Sequence, residues 1–163
     1  MDNFKQYLEE ARMAPLYHGT SLENIEEILN NNVLKISPKF KTLSFSRSKR
    51  YVQNIHHLLL ELDQHKISQT YKIKPYNWYN DHDGGDHKPK HTRFTKAQKR
   101  NEYEEEIYKD LKPLNKYLVA IYFPGNVHDA IYGSGWLENV AYVVETYCKK
   151  YKIHLEYYNV NWY

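Results

Sequence analysis

Three short clusters in this 163-residue chain have residue types and spacing suited to chemistry. His18-Gly19-Thr20 follows the apolar pair Leu16-Tyr17, Ser44-Phe45-Ser46-Arg47 alternates along a second segment, and Glu102-Tyr103-Glu104-Glu105-Glu106 concentrates four carboxylates in five positions. Two basic stretches flank them: residues 35–50 hold six Lys and Arg with no acid, and Lys88–Arg100 leads directly into the glutamates. Such runs read either as solvated faces or as the phosphate-seeking walls of a cleft ending in a carboxylate. Other chemistries are poorly supplied. Gly133-Ser134-Gly135-Trp136 has half of a dinucleotide fingerprint without its third glycine or a preceding strand at the right spacing. Cys148 is the single cysteine, which excludes a disulfide framework and a four-cysteine zinc site. Asp81-His82-Asp83, Asp86-His87 and His91 are capable metal ligands, but turn chemistry gives them no rigid scaffold, so no metal site is assigned.

Composition bounds the elements that must position these clusters. Hydrophobic residues make up 41% and charged residues 26%, as in a globular domain, and the length suits one domain over residues 1–163. The 17 tyrosines against 5 Phe and 3 Trp imply cores and clefts lined with rings whose hydroxyls need polar partners. A formal charge of +3 is too small to imply a nucleic-acid partner. No run approaches the ~20 apolar residues of a membrane span, and Met1–Arg12 lacks the basic-then-apolar order of a signal peptide. A cytoplasmic protein is expected.

Periodicity then places the clusters. Asp2 caps a short helix to Arg12, and Leu16–Thr20 is a strand running into a turn. Ser21 caps a helix with Leu22, Ile25, Ile28 and Leu29 as its apolar stripe, ended by Asn30-Asn31-Asn32. Leu43–Ser46 is a strand with period two. Tyr51–Leu62 fits either a helix or a helix leading into a strand. Residues 77–101 are expected to be a mobile loop, the length of a functional lid or an insert. Leu118–Phe123 is a buried strand, Trp136–Lys150 an amphipathic helix and Ile153–Tyr158 a last strand. With no βαβ alternation, the class is α+β.

Taken in order, the three clusters resemble the ADP-ribosyltransferase superfamily, with a histidine on the first strand, a serine motif on the next and a late glutamate. The resemblance is sharpest over residues 16–52, where Leu16-Tyr17-His18-Gly19-Thr20-Ser21 looks like the histidine-glycine-threonine signature. Leu60–Asp63, Tyr71–Tyr76 and Glu102–Ile107 look like small phage and bacterial relatives. It implies an α+β, ADP-ribosyltransferase-like split antiparallel or mixed sheet with flanking helices. It also implies an NAD-dependent glycosyltransferase that moves ADP-ribose to a protein or nucleic-acid acceptor. A phage-type role against a host component would follow, in the host cytoplasm.

The resemblance assigns roles residue by residue. Glu104 would hold the ribose 2′-hydroxyl and stabilise an oxocarbenium-like state, and Glu102 would orient the acceptor; Glu104 with Glu106 is an equally regular pair. His18 would bond a ribose hydroxyl, Gly19 would grip the nicotinamide amide, and Thr20, Ser44 and Ser46 would line the site. Phe45 departs from the family's serine-threonine-serine triplet; alternation sends it into the core while the serines face the cleft. Arg47 would meet the diphosphate, and Tyr51 or Tyr76 would stack on nicotinamide. Rival expectations are a catalytically silent binding module, an NAD hydrolase and an RNA 2′-phosphotransferase-like enzyme, the last expecting more arginines than the chain supplies.

Overall fold

Alternating and continuous apolar runs collect into one sheet in the computed structural model, which describes residues 14–56, 58–76, 104–125 and 134–158. Among these the chain runs β1 (Leu16–Thr20), α1 (Leu22–Asn31), β2 (Leu43–Ser46), α2 (Lys49–Ile55), β3 (Leu58–Leu62), α3 (Gln64–Thr70), β4 (Lys74–Tyr76) and β5 (Glu104–Ile107). A 3-10 turn (Leu114–Lys116), β6 (Leu118–Pro124), α4 (Ser134–Tyr151) and β7 (His154–Tyr158) complete it. The seven strands lie in the order β4-β5-β2-β1-β3-β6-β7. Every pairing is antiparallel except that of β6 with β7. The class is thus α+β with a mixed sheet, as expected. Tyr51–Leu62 resolves as a helix followed by a strand. The expected helix over Asp2–Arg12, Glu102 and the loop 77–101 lie outside the described residues.

Side chains alternate across a strand, so each strand serves two environments. On one face Leu16, Phe45, Leu58, Leu60, Leu62, Ile107, Ile121 and Phe123 are all buried. Against them α1 packs Leu22, Ile25 and Leu29, and α4 packs Val140, Val144, Tyr147 and Cys148, each set at helical spacing. Burying each such aliphatic side chain contributes about 1.5–3 kcal/mol, so this face holds most of the fold's apolar stabilisation. Among the described residues the opposite face carries a small cluster, Val52 of α2 on Leu59, Ala120 and Tyr122.

The asparagine stop of α1 is a working cap. Asn32 adopts a left-handed conformation (φ 54°); its N–H reaches the Leu29 carbonyl at 3.1 Å and that of Val33 reaches Ile28 at 3.1 Å, a Schellman arrangement. Its side chain accepts from the Asn115 N–H at 2.9 Å and from the Tyr147 hydroxyl at 2.5 Å. One residue therefore ties α1 to the turn before β6 and to α4. Ser21 stands at the N-cap but makes no side-chain cap bond, whereas Ser48 accepts from Tyr51 N–H at 3.2 Å and Asp63 from Lys66 N–H at 3.0 Å. α3 and its Asp63 cap were not anticipated from the sequence.

Candidate active site

The site candidates gather where the sheet begins to open. β1 pairs with β3 over its whole length, Leu16 opposite Leu62 through Thr20 opposite Leu58. With β2 it shares the single register pair Tyr17 opposite Ser46. At the next carbonyl the ladder is replaced by a side chain: the ring Nδ1 of His18 lies 2.9 Å from the Ser44 carbonyl oxygen. A carbonyl only accepts, so Nδ1 carries the proton and Nε2 of the neutral ring is left as an acceptor. The ring also meets Phe45 edge to face, with centroids 6.1 Å apart. Desolvation, reinforced by nearby His56, pushes the His18 pKa below its ordinary 6.5, against the opposing hydrogen bond to Ser44. Near neutral pH the imidazole is therefore neutral.

Across the next strands, register sorts the glutamates. Ser46 stands opposite Glu104, Phe45 opposite Glu105 and Ser44 opposite Glu106, while Tyr76 on the edge strand stands opposite Glu104. By backbone register, positions 17, 46, 104 and 76 thus form one rank across four strands, on the serine face. Positions 44 and 106 form the next rank on that face. Phe45 is buried as alternation required. Ser44 is half-buried, but Ser46 is buried and its hydroxyl accepts from the Ser48 N–H at 3.1 Å, shaping the turn into α2. Thr20 is buried on the core side of β1, and Tyr51 is exposed in the first turn of α2.

Two side chains to which the sequence reading gave no role contact the candidate residues. Glu105, only 6% exposed, takes the Arg47 guanidinium: Nε donates to Oε1 at 2.5 Å and a terminal nitrogen contacts the same oxygen. Its other oxygen, Oε2, is buried and has no hydrogen-bond partner among the described residues. Arg47, expected to face a diphosphate, is thus held by a carboxylate on the Phe45 side of β2. The signal was available: Phe45, Arg47 and Glu105 share parity on paired strands. The second is His56. A side chain added at Gly19 would meet its ring at 2.2 Å, so the glycine is required by a neighbouring imidazole. No periodicity in the sequence points to His56, which lies beyond the last turn of α2.

Glu106 accepts from the Tyr108 hydroxyl at 3.3 Å, and the Lys74 ammonium lies 4.7 Å from the Tyr108 ring centroid. Further along the same face, Tyr122 donates to Glu61 at 2.5 Å and carries the Lys49 ammonium 3.3 Å above its ring. Burial and Glu61 raise the pKa values of Tyr17 and Tyr122, which keeps both phenols protonated. Burial likewise pushes the Cys148 thiol up to about 11, an inert structural group. Among the described residues no three His, Cys, Asp or Glu side chains are grouped to hold a metal ion. No described helix is long and apolar enough to cross a membrane. An open depression of about 460 Å³ lies elsewhere, lined by Asn31, Asn32, Val33, Asp110, Lys112 and Pro113, and contains none of the candidates.

The mixed sheet with its flanking helices matches an ADP-ribosyltransferase-like fold. Among solved structures it is shared with DarT of Thermus sp. 2.9 in complex with NAD+, an ADP-ribosyltransferase. The match covers 90% of this chain and 96% of that one, at a TM-score of 0.51 and 10% sequence identity. At that identity the likeness speaks for the fold alone. No protein-family model matches the chain, and no curated protein matches its sequence.

Proposed function

We propose that this chain is an NAD-dependent ADP-ribosyltransferase whose cleft lies where β1 parts from β2, beside β5. The observation that carries the reading is the opening at β1 and β2, where the two strands share one register pair and the His18 ring bonds the Ser44 carbonyl through Nδ1. The register of Glu104 opposite Ser46 on that same sheet adds a carboxylate position two strands away from β1. A fold shared with a protein solved with NAD+ makes NAD the natural substrate to test.

In this reading His18 Nε2 accepts a ribose hydroxyl, Ser44 lines the pocket, and Glu104 holds the nicotinamide ribose through its 2′-hydroxyl. The glycosidic C–N bond of NAD breaks, nicotinamide leaves with the bonding electrons, and positive charge develops on the ribose. A carboxylate held nearby is worth most at that moment, because it acts on charge that exists only in the transition state. A macromolecular nucleophile then bonds to the anomeric carbon and releases its proton. The acceptor is a protein or nucleic acid, and a host component if the chain serves as a phage-type effector. Glu102 would orient that acceptor, and Tyr51 or Tyr76 would flank the departing ring.

One further reading has observations of its own. Arg47 is engaged by Glu105 and the Gly19 face is covered by His56, as a catalytically silent module would tolerate. Labelled NAD incubated with the pure protein and a cell extract separates the two. Label entering protein or nucleic acid, and falling at least about a hundredfold in Glu104→Gln with the fold intact, supports the transferase. Free ADP-ribose without labelled macromolecule indicates hydrolysis. Neither binding nor turnover by the folded protein leaves the silent module.

A further inference from the structure

Away from the candidate cleft, we propose that the end of the sheet where β2 starts and β5 stops is a docking surface for single-stranded nucleic acid. Phe40 and Tyr108 would stack on bases there, and the lysines around them would meet phosphates. Pro38, Lys39, Phe40 and Lys41 form an exposed turn, with Phe40 68% exposed, and Tyr108 is 46% exposed. Register brings the two rings to one end of the sheet. Leu43 pairs with Ile107, so Lys41 lies two residues before that rung and Lys109 two residues after it. Lys74 opens β4 opposite Glu106. The rank of Ser46 and Glu104 is three positions further along these strands, about 10 Å away, so the surface stands apart from it.

Both rings are held in place by hydrogen bonds. Around Phe40 the Ser37 N–H donates to the Thr42 carbonyl and the Lys41 N–H to the Ser37 carbonyl, each at 2.8 Å, and the Phe40 N–H donates to Ser37 Oγ at 3.2 Å. The turn imposes a left-handed conformation on Lys41 (φ 58°), which a residue with a β-carbon adopts at a cost. Tyr108 is tethered at its far end, where its hydroxyl donates to Glu106. Each ring has its own ammonium: Lys39 lies 5.0 Å from the Phe40 centroid and Lys74 4.7 Å from that of Tyr108. The nearby acids are occupied, Glu106 by the Tyr108 hydroxyl and Asp110 by the Ile36 N–H at 2.8 Å. Lys39, Lys41, Lys74 and Lys109 are exposed and make no ion pair among the described residues. The formal charge of +3 over the whole chain conceals this local excess. A ring paired with a cation, twice over, complements a base with its phosphate. Membrane surfaces also recruit aromatic residues and lysines, but they require no fixed ring, so the tethered Tyr108 favours bases.

The test needs no NAD, so its outcome is independent of the chemistry of the cleft. Fluorescence anisotropy follows a labelled mixed-sequence DNA strand of about 12 nucleotides, within the span of single-strand binding sites, and the same sequence as a duplex. The single strand should bind at least about tenfold more tightly, because duplex bases are already stacked on one another. Phe40→Ala and Tyr108→Leu should each weaken binding roughly five- to a hundredfold, the effect of losing one stacked base. Lys39→Gln combined with Lys41→Gln should make the slope of log affinity against log salt shallower by about 1.4, at roughly 0.7 per phosphate contact. Tyr142→Ala, which removes a ring 69% exposed on α4, should leave affinity unchanged. Phe40 and both lysines are exposed, so their variants decide the matter even where Tyr108→Leu folds poorly. Equal affinity for the duplex, or a loss in Tyr142→Ala as large as in Phe40→Ala, overturns base stacking at this surface. Phe40-dependent binding to phosphatidylglycerol vesicles without affinity for the strand assigns the surface to a membrane and overturns the proposal. Failure of the folded wild-type chain to bind the strand overturns it as well.

Discussion

The two faces of one sheet divide the labour of this molecule. Towards α1 and α4, β1 to β3 present Leu16, Phe45, Leu58, Leu60 and Leu62, all under 2% exposed, covered by helices of 10 and 18 residues. Towards the other side the same strands present Tyr17, Gly19, Ser44, Ser46 and Glu61, over which, among the described residues, the seven-residue α2 packs. The backbone is common to both, so the difference lies wholly in side-chain alternation. Among the described residues, stability is concentrated where helices bury apolar area, and the serine face is the less covered of the two. Substitutions at adjacent positions of one strand should then act on different properties.

Phe45 and Ser44 give the largest contrast. Phe45→Ala removes a ring that is 1% exposed and should cost roughly 4 kcal/mol in urea unfolding. Ser44→Ala, one residue away, should stay within about 0.5 kcal/mol and change NAD affinity instead. Equal stability losses at the two positions would break the division between faces. A smaller effect is expected where the division is blurred, at Arg47 and Glu105. Removing Arg47 strands a carboxylate that is 6% exposed and should cost about 3 kcal/mol. Because the residues share one contact, Arg47→Met with Glu105→Gln should lose much less than the two single changes summed. Additive losses would show that the pair does not act as a unit.

How much of this was legible follows from which forces set each feature. β1, α1, β2, β6 and α4 are written in periodicity, because burial of one face imposes a spacing on the sequence, and the Phe45 burial follows from the same rule. α3 was missed because its buried residues, Gln64 and Ile67, are too few to make a stripe. β4 and β5 are three and four residues long, and polar for their role, so pattern alone could not mark them as strands. The site depends on register between distant strands: nothing local says that Ser46 faces Glu104 while Phe45 faces Glu105. The tie between Arg47 and Glu105, 58 positions apart, and the ring of His56 over Gly19 arise from the same non-local pairing. Sequence spacing is silent on both.

His18 supplies the finest test, since it stands at a core-side position of β1, opposite Leu60, and spends Nδ1 on the Ser44 carbonyl. Its pKa in the folded state lies below the ordinary 6.5, chiefly from desolvation. In the window between that depressed value and 6.5 the unfolded chain binds the proton more readily than the folded one. Lowering the pH through this window must then favour unfolding, and stability must rise again as pH returns above 6.5. Replacing His18 by Gln should remove that part of the slope between pH 7 and pH 5 while leaving the rest of the profile. The same protonation consumes Nε2 as an acceptor, so NAD affinity should fall over the same window in the wild type and lose that component in His18→Gln. A ring whose NMR titration midpoint lies at or above 6.5 would contradict both expectations. It would place the imidazole in solvent rather than in the wedge between β1 and β2.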